Sequence, residues 1–246
     1  MIGLVERTAL VTGASRGIGR AIAERLAADG WTVLALSRSA PKEPFPSTNI
    51  RHHAVDIADE KAVLALFERL RQMETVLGGL VNSAAIQGGK PIREQSRDEW
   101  QEMLEVNLTG AWQMIKSALP LMTEGGAIVN VGSVASVAGF AERSAYCASK
   151  HALLGLTKAL AAELAPDGIR VNHLCLGSFD TPGLQQLASA KGSEASAYAS
   201  RQLLNRLGEP EEAAAACAFL LSKEAGFITG SSLTVDGGLL TKGAFG

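Results

Sequence analysis

The chain has 246 residues, of which 47% are hydrophobic and only 5% aromatic, and its formal net charge is -2. That length allows one α/β domain with a large aliphatic core. No tract of clustered Lys and Arg is present, which argues against nucleic-acid binding. The longest apolar run, Ala213–Leu221, is far too short to span a bilayer. Three cysteines without paired spacing, and no secretory signal, favour a reduced, cytoplasmic protein with no membrane contact.

The first element is a short apolar strand, Thr8–Thr12, followed by a glycine-rich turn and a helical pattern over Arg20–Ala28. Glycines let a backbone approach a diphosphate closely, and the amides at a helix start favour an anion. A purely structural turn with helix-packing glycines is the alternative, but the strand and helix on either side favour a phosphate site. The candidate residues in the turn are Gly13, Ser15, Arg16, Gly17, Ile18 and Gly19.

A second strand, Thr32–Leu36, ends in Ser37, Arg38 and Ser39. Dinucleotide folds that use NAD place an acidic residue here to bind the adenosine ribose, whereas NADP requires a cation for its 2′-phosphate. No acid is present, and Arg38 together with Arg16 could hold that phosphate between two guanidinium groups. The sequence therefore favours NADP (NADPH) over NAD, with two solvated arginines as the alternative reading.

The remaining pattern alternates strands and helices, which is typical of a parallel sheet covered on both faces. The proline-rich stretch 40–47 predicts a loop. His52 and His53 are adjacent and would point to opposite faces of their strand, so no metal site is expected. We predict a doubly wound Rossmann-type α/β fold of about seven strands, forming a single domain over 1–246 with a substrate cover at about 178–206. The predicted strands are 50–55, 77–81, 127–131, 169–176 and 232–235, and the predicted helices are 59–72, 97–119, 144–165 and 210–222.

Tyr146 and Lys150 lie four residues apart, on one face of the predicted helix 144–165. A nearby ammonium group favours phenolate, so the spacing predicts a tyrosine with a lowered pKa that suits general acid and base catalysis. An isolated pair of this kind usually consists of two exposed residues without a catalytic role. Here, Asn82 and Ser133 follow predicted strands, at the end of a parallel sheet where ligands bind.

Taken together, these residues resemble the short-chain dehydrogenase/reductase family of the compact, single-domain type. The resemblance covers nearly the whole chain, including the thirteen positions from Ser133 to Tyr146. Two positions depart from the family pattern: this chain has Ala85 where the family usually has glycine, and Leu176 where it usually has proline. Neither residue is a reacting group. The matching positions are the turn at 12–19, Asp56, Asn82, Ser83, Ala84, Asn107, Ser133, Tyr146, Lys150, Thr181 and the segment 235–238.

The resemblance implies a role for each of these residues. Tyr146 would exchange a proton with the substrate oxygen, and Ser133 would bind that oxygen. Lys150 would hold the nicotinamide ribose and lower the pKa of Tyr146, and Asn107 would position a water that links Lys150 to solvent. Asp56 would meet the adenine amino group and Thr181 the carboxamide. Ile57, Asn82, Ala84 and Gly177 complete the expected cofactor site, together with Tyr146 and Lys150.

The resemblance also implies a homotetramer and a small carbonyl or alcohol substrate. Related in appearance are 3-oxoacyl-(acyl-carrier-protein) reductases, whose acidic partner would need a basic rim. The turns 123–126 and 166–168, expected near that rim, carry acids and so favour a free small molecule. An NAD-dependent alcohol dehydrogenase and a non-catalytic NADP-binding sensor or scaffold are the alternatives. The residues expected to line the substrate pocket are Gln87, Ala135, Phe140, Glu142, Phe179 and Leu184.

Overall fold

A parallel seven-stranded sheet runs through the middle of the computed structural model, which describes residues 7–190 and 192–242. Its strand order is β3-β2-β1-β4-β5-β6-β7. The chain reverses direction across the sheet between β3 and β4, which creates a crevice at the carboxyl ends of the central strands. This arrangement confirms the predicted Rossmann-type α/β fold. The strands are β1 Thr8–Thr12, β2 Thr32–Ser37, β3 Ile50–Ala54, β4 Leu77–Asn82, β5 Met122–Val131, β6 Arg170–Leu176 and β7 Ser232–Val235.

Helices cover both faces of the sheet. The helices α1 and α7 pack against one face, and α2, α4 and α5 pack against the other. Side chains of Ala, Val, Leu and Ile fill both layers, as the low aromatic content predicts. The helices are α1 Gly17–Ala28, α2 Glu60–Gln72, α3 Arg97–Leu104, α4 Gly110–Ala118, α5 Ser144–Leu164, α6 Pro182–Ala190, α7 Pro210–Leu221 and α8 Leu239–Lys242.

The helix predicted over 97–119 is not continuous. A π-helical turn, Glu105–Thr109, separates α3 from α4 and contains Asn107. A π turn inserts one extra residue into a helix and is frequent at functional sites. Here it accompanies an inward-facing Asn107 whose amide bonds the main chain of Ile86, a tertiary contact that helical periodicity does not reveal.

The proline-rich segment 40–47 forms a loop, as predicted. The guanidinium group of Arg20 on α1 donates hydrogen bonds to the carbonyl oxygens of Glu43 and Pro44, at 2.8 and 3.0 Å. The same group lies 5.1 Å from the ring centroid of Phe45. Arg20 therefore holds the loop against the helix that follows the glycine-rich turn.

The predicted cover contains α6 and a 3₁₀ segment, Ala195–Arg201. Leu184, Ala188 and Tyr198 form a small hydrophobic cluster of their own, separate from the two clusters that flank the sheet. Across the residues that the structure describes, no helix has the length and apolar character needed to cross a membrane.

The carboxyl end of β5 packs directly against a buried histidine. A Cβ atom added to Gly132 would lie only 1.9 Å from Nε2 of His173 on β6. His173 also shares hydrogen bonds with Ser136 and Ser232, at 3.0 and 2.9 Å, so its ring cannot easily move away. Any side chain at position 132 would therefore clash with the ring of His173.

We predict that Gly132→Ala destabilises the protein by about 2 kcal/mol, because overpacking a rigid core usually costs 1–3 kcal/mol. Urea unfolding followed by circular dichroism measures the change. The matched control is the double variant Gly132→Ala/His173→Ala, in which the added methyl group has space. The steric explanation fails if Gly132→Ala costs as much in the His173→Ala background as it does in the wild type.

Candidate active site

The glycine-rich turn is shaped by close backbone contacts. Gly13 has φ +68°, and a Cβ on it would lie 2.7 Å from Cα of Ala84. A Cβ on Gly19 would lie 2.4 Å from the carbonyl oxygen of Gly13. Larger residues would therefore force apart the turn, α1 and the segment after β4.

The start of α1 is suited to an anion. Arg16, the N-cap residue, makes no side-chain capping hydrogen bond, and the first turn of α1 contains no acidic residue. Unpaired amide groups and the helix dipole favour a phosphate at this position. The turn and the helix start thus fit the diphosphate of a dinucleotide.

Thr12 ties the turn to the neighbouring strand. Its hydroxyl oxygen accepts hydrogen bonds from the backbone amides of Ser83 and Ala84, both at 3.0 Å. This places the segment after β4 beside the glycine-rich turn. Both segments line a single cleft.

The cleft has a volume of about 1410 Å³ and lies at the carboxyl ends of the strands. All six residues expected to line the substrate pocket do line it. Of the predicted cofactor and catalytic residues, only Asn82 and Asn107 do not. Those that line the cleft are Gly13, Ser15, Arg16, Gly17, Ile18, Gly19, Arg38, Asp56, Ile57, Ala84, Ser133, Tyr146, Lys150, Gly177 and Thr181.

Asn82 lies behind the wall of the cleft. Its Nδ2 donates to Oδ1 of Asn130 at 2.9 Å, and Nδ2 of Asn130 donates to Oγ1 of Thr157 at 3.0 Å. This chain of hydrogen bonds joins β4, β5 and α5. The side chain of Asn82 therefore positions the wall, instead of facing the cleft as the sequence suggests.

Asn107 is also buried behind the cleft. Its amide exchanges two hydrogen bonds with the main chain of Ile86, at 2.8 and 3.0 Å, and donates to Oγ of Ser149 at 3.3 Å. Ser149 in turn donates to the carbonyl oxygen of Tyr146 at 2.8 Å. Asn107 thus connects the loop after β4 with the helix turn that carries Tyr146.

The loop after β5 holds Ser133 in place. Oγ of Ser133 accepts from the amide of Ala135 at 3.2 Å, and the amide of Ser133 donates to Oγ of Ser136 at 3.3 Å. The thiol of Cys175 donates to the carbonyl oxygen of Ser133 at 3.2 Å. The sequence analysis did not identify Ser136 and Cys175 as supporting residues, because they contact Ser133 only in the folded chain.

Tyr146 is buried, and burial raises the pKa of its phenol. The positive charge of Arg143 and a hydrogen bond with Ser133 oppose that rise. We expected Lys150 to lower this pKa, and burial raises it instead. Helical spacing places Lys150 on the correct face but does not reveal the cost of removing the phenolate from water.

Lys150 is buried close to the Tyr146 ring. Its Nζ donates to the carbonyl oxygen of Val131 at 2.9 Å and lies 5.9 Å from the centroid of the Tyr146 ring. Burial lowers the pKa of Lys150 to about 8. The ammonium group is thus held at the end of β5, in the wall of the cleft.

Arg143 was missed in the sequence analysis. Its guanidinium carbon lies 4.4 Å from the ring centroid of Tyr146, and the residue lines the cleft. Its position three residues before the tyrosine, on the same side of the helix start, was the signal that could have identified it.

The opposite end of the cleft carries Arg16 and Arg38, both exposed. Asp56 also lines this end, and its Oδ1 accepts a hydrogen bond from the amide of Ala58 at 3.0 Å. Oγ of Thr181, near the middle of the cleft, accepts from the amide of Leu184 at 3.2 Å and so begins α6.

The turns 123–126 and 166–168 are not at the rim of the cleft. Residues 123–126 form the first part of β5 and residues 166–168 precede β6, and the amide of Gly125 donates to the carbonyl oxygen of Gly168 at 3.1 Å. They therefore lie at the amino ends of the strands, opposite the cleft. Their acidic residues give no information about the charge of a substrate.

A glycine-lined diphosphate site, a parallel doubly wound sheet, and a buried Tyr-Lys pair beside a serine define a nicotinamide-dependent oxidoreductase. Comparison with known proteins supports this class. A family model described as enoyl-(acyl carrier protein) reductase matches residues 13–240. The chain belongs to the short-chain dehydrogenase/reductase family and is an NAD(P)-dependent enzyme that transfers hydride.

The chain is 35% identical to a 3β-hydroxysteroid dehydrogenase of Mediterraneibacter gnavus, over 96% of this chain and 95% of that protein. It is 36% identical to a 3-oxoacyl-(acyl-carrier-protein) reductase of Vibrio harveyi, over 97% and 99% of the two chains. Among solved structures, the ligand-free aldohexose dehydrogenase of Thermoplasma acidophilum is similar, with a TM-score of 0.90 and 37% identity. That match covers 96% of this chain and 94% of the other.

Proposed function

We propose that the protein interconverts a small ketone or aldehyde and its alcohol, with NADPH as the preferred cofactor and Tyr146 as the general acid and base. The observation that carries this proposal is the meeting of the Tyr146 and Ser133 side chains in a cleft that also contains the glycine-rich turn. The hydroxyl groups come from two different elements, and separate networks hold their backbones in place.

The two hydroxyl groups have complementary roles. Both can donate a hydrogen bond to a substrate carbonyl oxygen, which stabilises the negative charge that develops on that oxygen. The raised pKa keeps Tyr146 protonated at neutral pH, so it holds the proton that the oxygen needs. NADPH supplies the hydride. In the reverse direction, the same phenol oxygen accepts the proton of the alcohol.

Lys150 and Asn107 support this chemistry from behind the cleft. We assign Lys150 to the nicotinamide ribose, because its buried Nζ has two further donors besides the one used by Val131. For Asn107 we propose a positioning role, since Ile86 and Ser149 already engage its amide. A complete set of such groups favours an enzyme over a non-catalytic sensor or scaffold.

The preference for NADPH rests on the charge at the end of β2. Arg38 and Arg16 line this part of the cleft, and Ser37 and Ser39 stand where an NAD-specific site would place an acid. Two exposed guanidinium groups can bind a 2′-phosphate from both sides. The adenine would lie near Asp56 and Ile57, and NAD would bind more weakly.

We expect the protein to be cytoplasmic and to form a homotetramer. Each chain would form a single domain over 1–246, in which residues 178–206 cover the substrate site. Trp100 on α3 and Trp112 on α4 are 36% and 43% exposed, large apolar surfaces that a subunit interface would bury. We predict four subunits by light scattering coupled to size exclusion. A monomeric mass would disprove the assembly and leave the chemistry untouched.

We predict that Tyr146→Phe lowers kcat by at least about 1000-fold, because the variant has no proton to donate and general acid catalysis typically contributes 10²–10⁴. Absorbance at 340 nm during oxidation of NADPH with a panel of ketones and aldehydes measures the loss. Binding of NADPH, followed by fluorescence, should persist and serves as the control for folding. Wild-type protein that binds NADPH but reduces no compound of a broad panel would favour the sensor reading.

We predict that Arg38→Ala raises the KM for NADPH by about 10-fold or more and changes the KM for NADH little. A hydrogen bond to a charged group contributes about 1.5–3 kcal/mol, and NADH lacks the phosphate that would receive it. Initial rates with both cofactors provide the comparison. Arg25→Ala, at the other end of α1 and paired with Asp29, is the matched control. Equal effects on both cofactors would remove the support for NADPH.

A further inference from the structure

Two arginines at the substrate end of the cleft have not yet been assigned a ligand. Arg143 stacks on Tyr146, and Arg201 stacks on Tyr198, with guanidinium carbons 4.4 and 4.3 Å from the ring centroids. All four residues line the same cleft. Within 7–190 and 192–242, neither guanidinium group forms a hydrogen bond or an ion pair.

The guanidinium of Arg143 is the more unusual of the two. Its Nε and Nη2 atoms are buried and have no hydrogen-bond partner among the described residues. Burying a charged donor without a partner is costly, and such a group in a native protein calls for an explanation. Stacking on a ring uses the flat face of the guanidinium, and Nη1, which is not among these buried atoms, keeps its in-plane donors for a ligand in the cleft.

The backbone beside Arg143 is held in place. Glu142 adopts φ +61°, a conformation that side chains seldom take, and its carbonyl oxygen packs against Gly89. A Cβ on Gly89 would lie only 1.9 Å from that oxygen. The loop after β4 therefore fixes the start of α5 and keeps Arg143 over the Tyr146 ring.

The phosphates of a dinucleotide do not explain these two cations. The glycine-rich turn and Arg38 follow β1 and β2, whereas Arg143 and Arg201 belong to segments that follow β5 and β6. In the sheet, β4 lies between these two groups of strands. Among the described residues at the substrate end, Glu142 contributes one carboxylate, whereas Arg143 and Arg201 contribute two guanidinium groups. This end of the cleft is therefore suited to an anion that is not part of the cofactor.

We propose that the natural substrate carries a carboxylate a few atoms from the reacting carbonyl or hydroxyl, as in an oxo acid or the corresponding hydroxy acid. This inference rests on the proposed function and names its substrate class. Arg143 binds the carboxylate through in-plane donors beside Tyr146, and Arg201 approaches it from the cover. The arginine contact orients the substrate so that its carbonyl oxygen meets Tyr146 and Ser133.

The test compares substrates that differ only in charge. Rates are measured for 2-oxo and 3-oxo acids of three to eight carbons and for the methyl ester of each, with acetoacetate and methyl acetoacetate as the first pair. We expect kcat/KM to favour the acid by at least 10-fold in its best pair. The variant Arg143→Met should reduce that ratio by about 10- to 100-fold, the loss typical of a charged hydrogen bond.

The ratio separates substrate binding from an effect on the phenol. Both members of a pair use Tyr146, so a change in its pKa affects both rates and cancels. Arg143→Lys should retain part of the preference, and Arg201→Met should lower it several-fold. Arg71→Met, an exposed arginine on α2 paired with Glu68, is the matched control and should leave the ratio unchanged. A ratio that Arg143→Met does not alter would overturn the proposal.

Calorimetric titration with malonate provides a second readout that needs no turnover. We expect malonate to bind the wild type in the presence of NADPH and to bind Arg143→Met at least 10-fold more weakly. Turnover of neutral ketones, with no acid preference and no malonate binding, would overturn the anion site and leave the proposed function intact. Malonate binding without turnover of any compound would support the anion site and overturn the proposed function.

Discussion

The position of α5 over the sheet depends on a buried line of side-chain hydrogen bonds. Asn82 at the end of β4 bonds Asn130 of β5, and Asn130 bonds Thr157 of α5. Lys150 adds a bond from α5 to the last residue of β5, Val131. Buried polar groups must be paired, so each of these bonds restricts the position of the helix more than an aliphatic contact would. The reacting groups on α5 inherit that restriction.

Burial of the same helix determines the protonation of the site. The apolar surroundings of Tyr146 disfavour phenolate, whereas Arg143 and Ser133 favour it. The ammonium of Lys150 donates a hydrogen bond to the main chain of β5. The protein thus holds a protonated phenol beside Ser133, and the charge of Arg143 offsets part of the effect of burial on its pKa.

The cleft divides into two halves with different construction. The cofactor half is built from strand ends and a glycine-rich turn. Backbone atoms there approach each other so closely that a Cβ would not fit, which leaves little room for substitution. The substrate half is built from the loop before α5 and from the cover, which has its own small cluster of Leu184, Ala188 and Tyr198. Specificity can therefore change in the second half without disturbing the sheet. Arg143 and Arg201 lie in this half.

Local patterns in the sequence were sufficient to predict the sheet, most helices, the glycine-rich turn and the Tyr146–Lys150 pair. Apolar periodicity, glycine spacing and proline content act over a few residues, so they can be read without knowledge of the fold. Other features depend on residues far apart in the chain. The π turn at Asn107 accompanies a bond to Ile86, and the inward turn of Asn82 accompanies its pairing with Asn130.

The error about the Tyr146 pKa and the missed role of Arg143 have the same origin. Desolvation and charge proximity depend on what surrounds a group in three dimensions, which spacing along a helix does not encode. The acidic segments 123–126 and 166–168 were placed at the wrong end of the strands. Their position follows from the register of β5 and β6, which the sequence does not show. The sequence by itself determined the fold and the chemical class. Only the tertiary structure decided which side chains face the cleft and which charges reach the phenol, because those properties arise from contacts between segments that are distant in the chain.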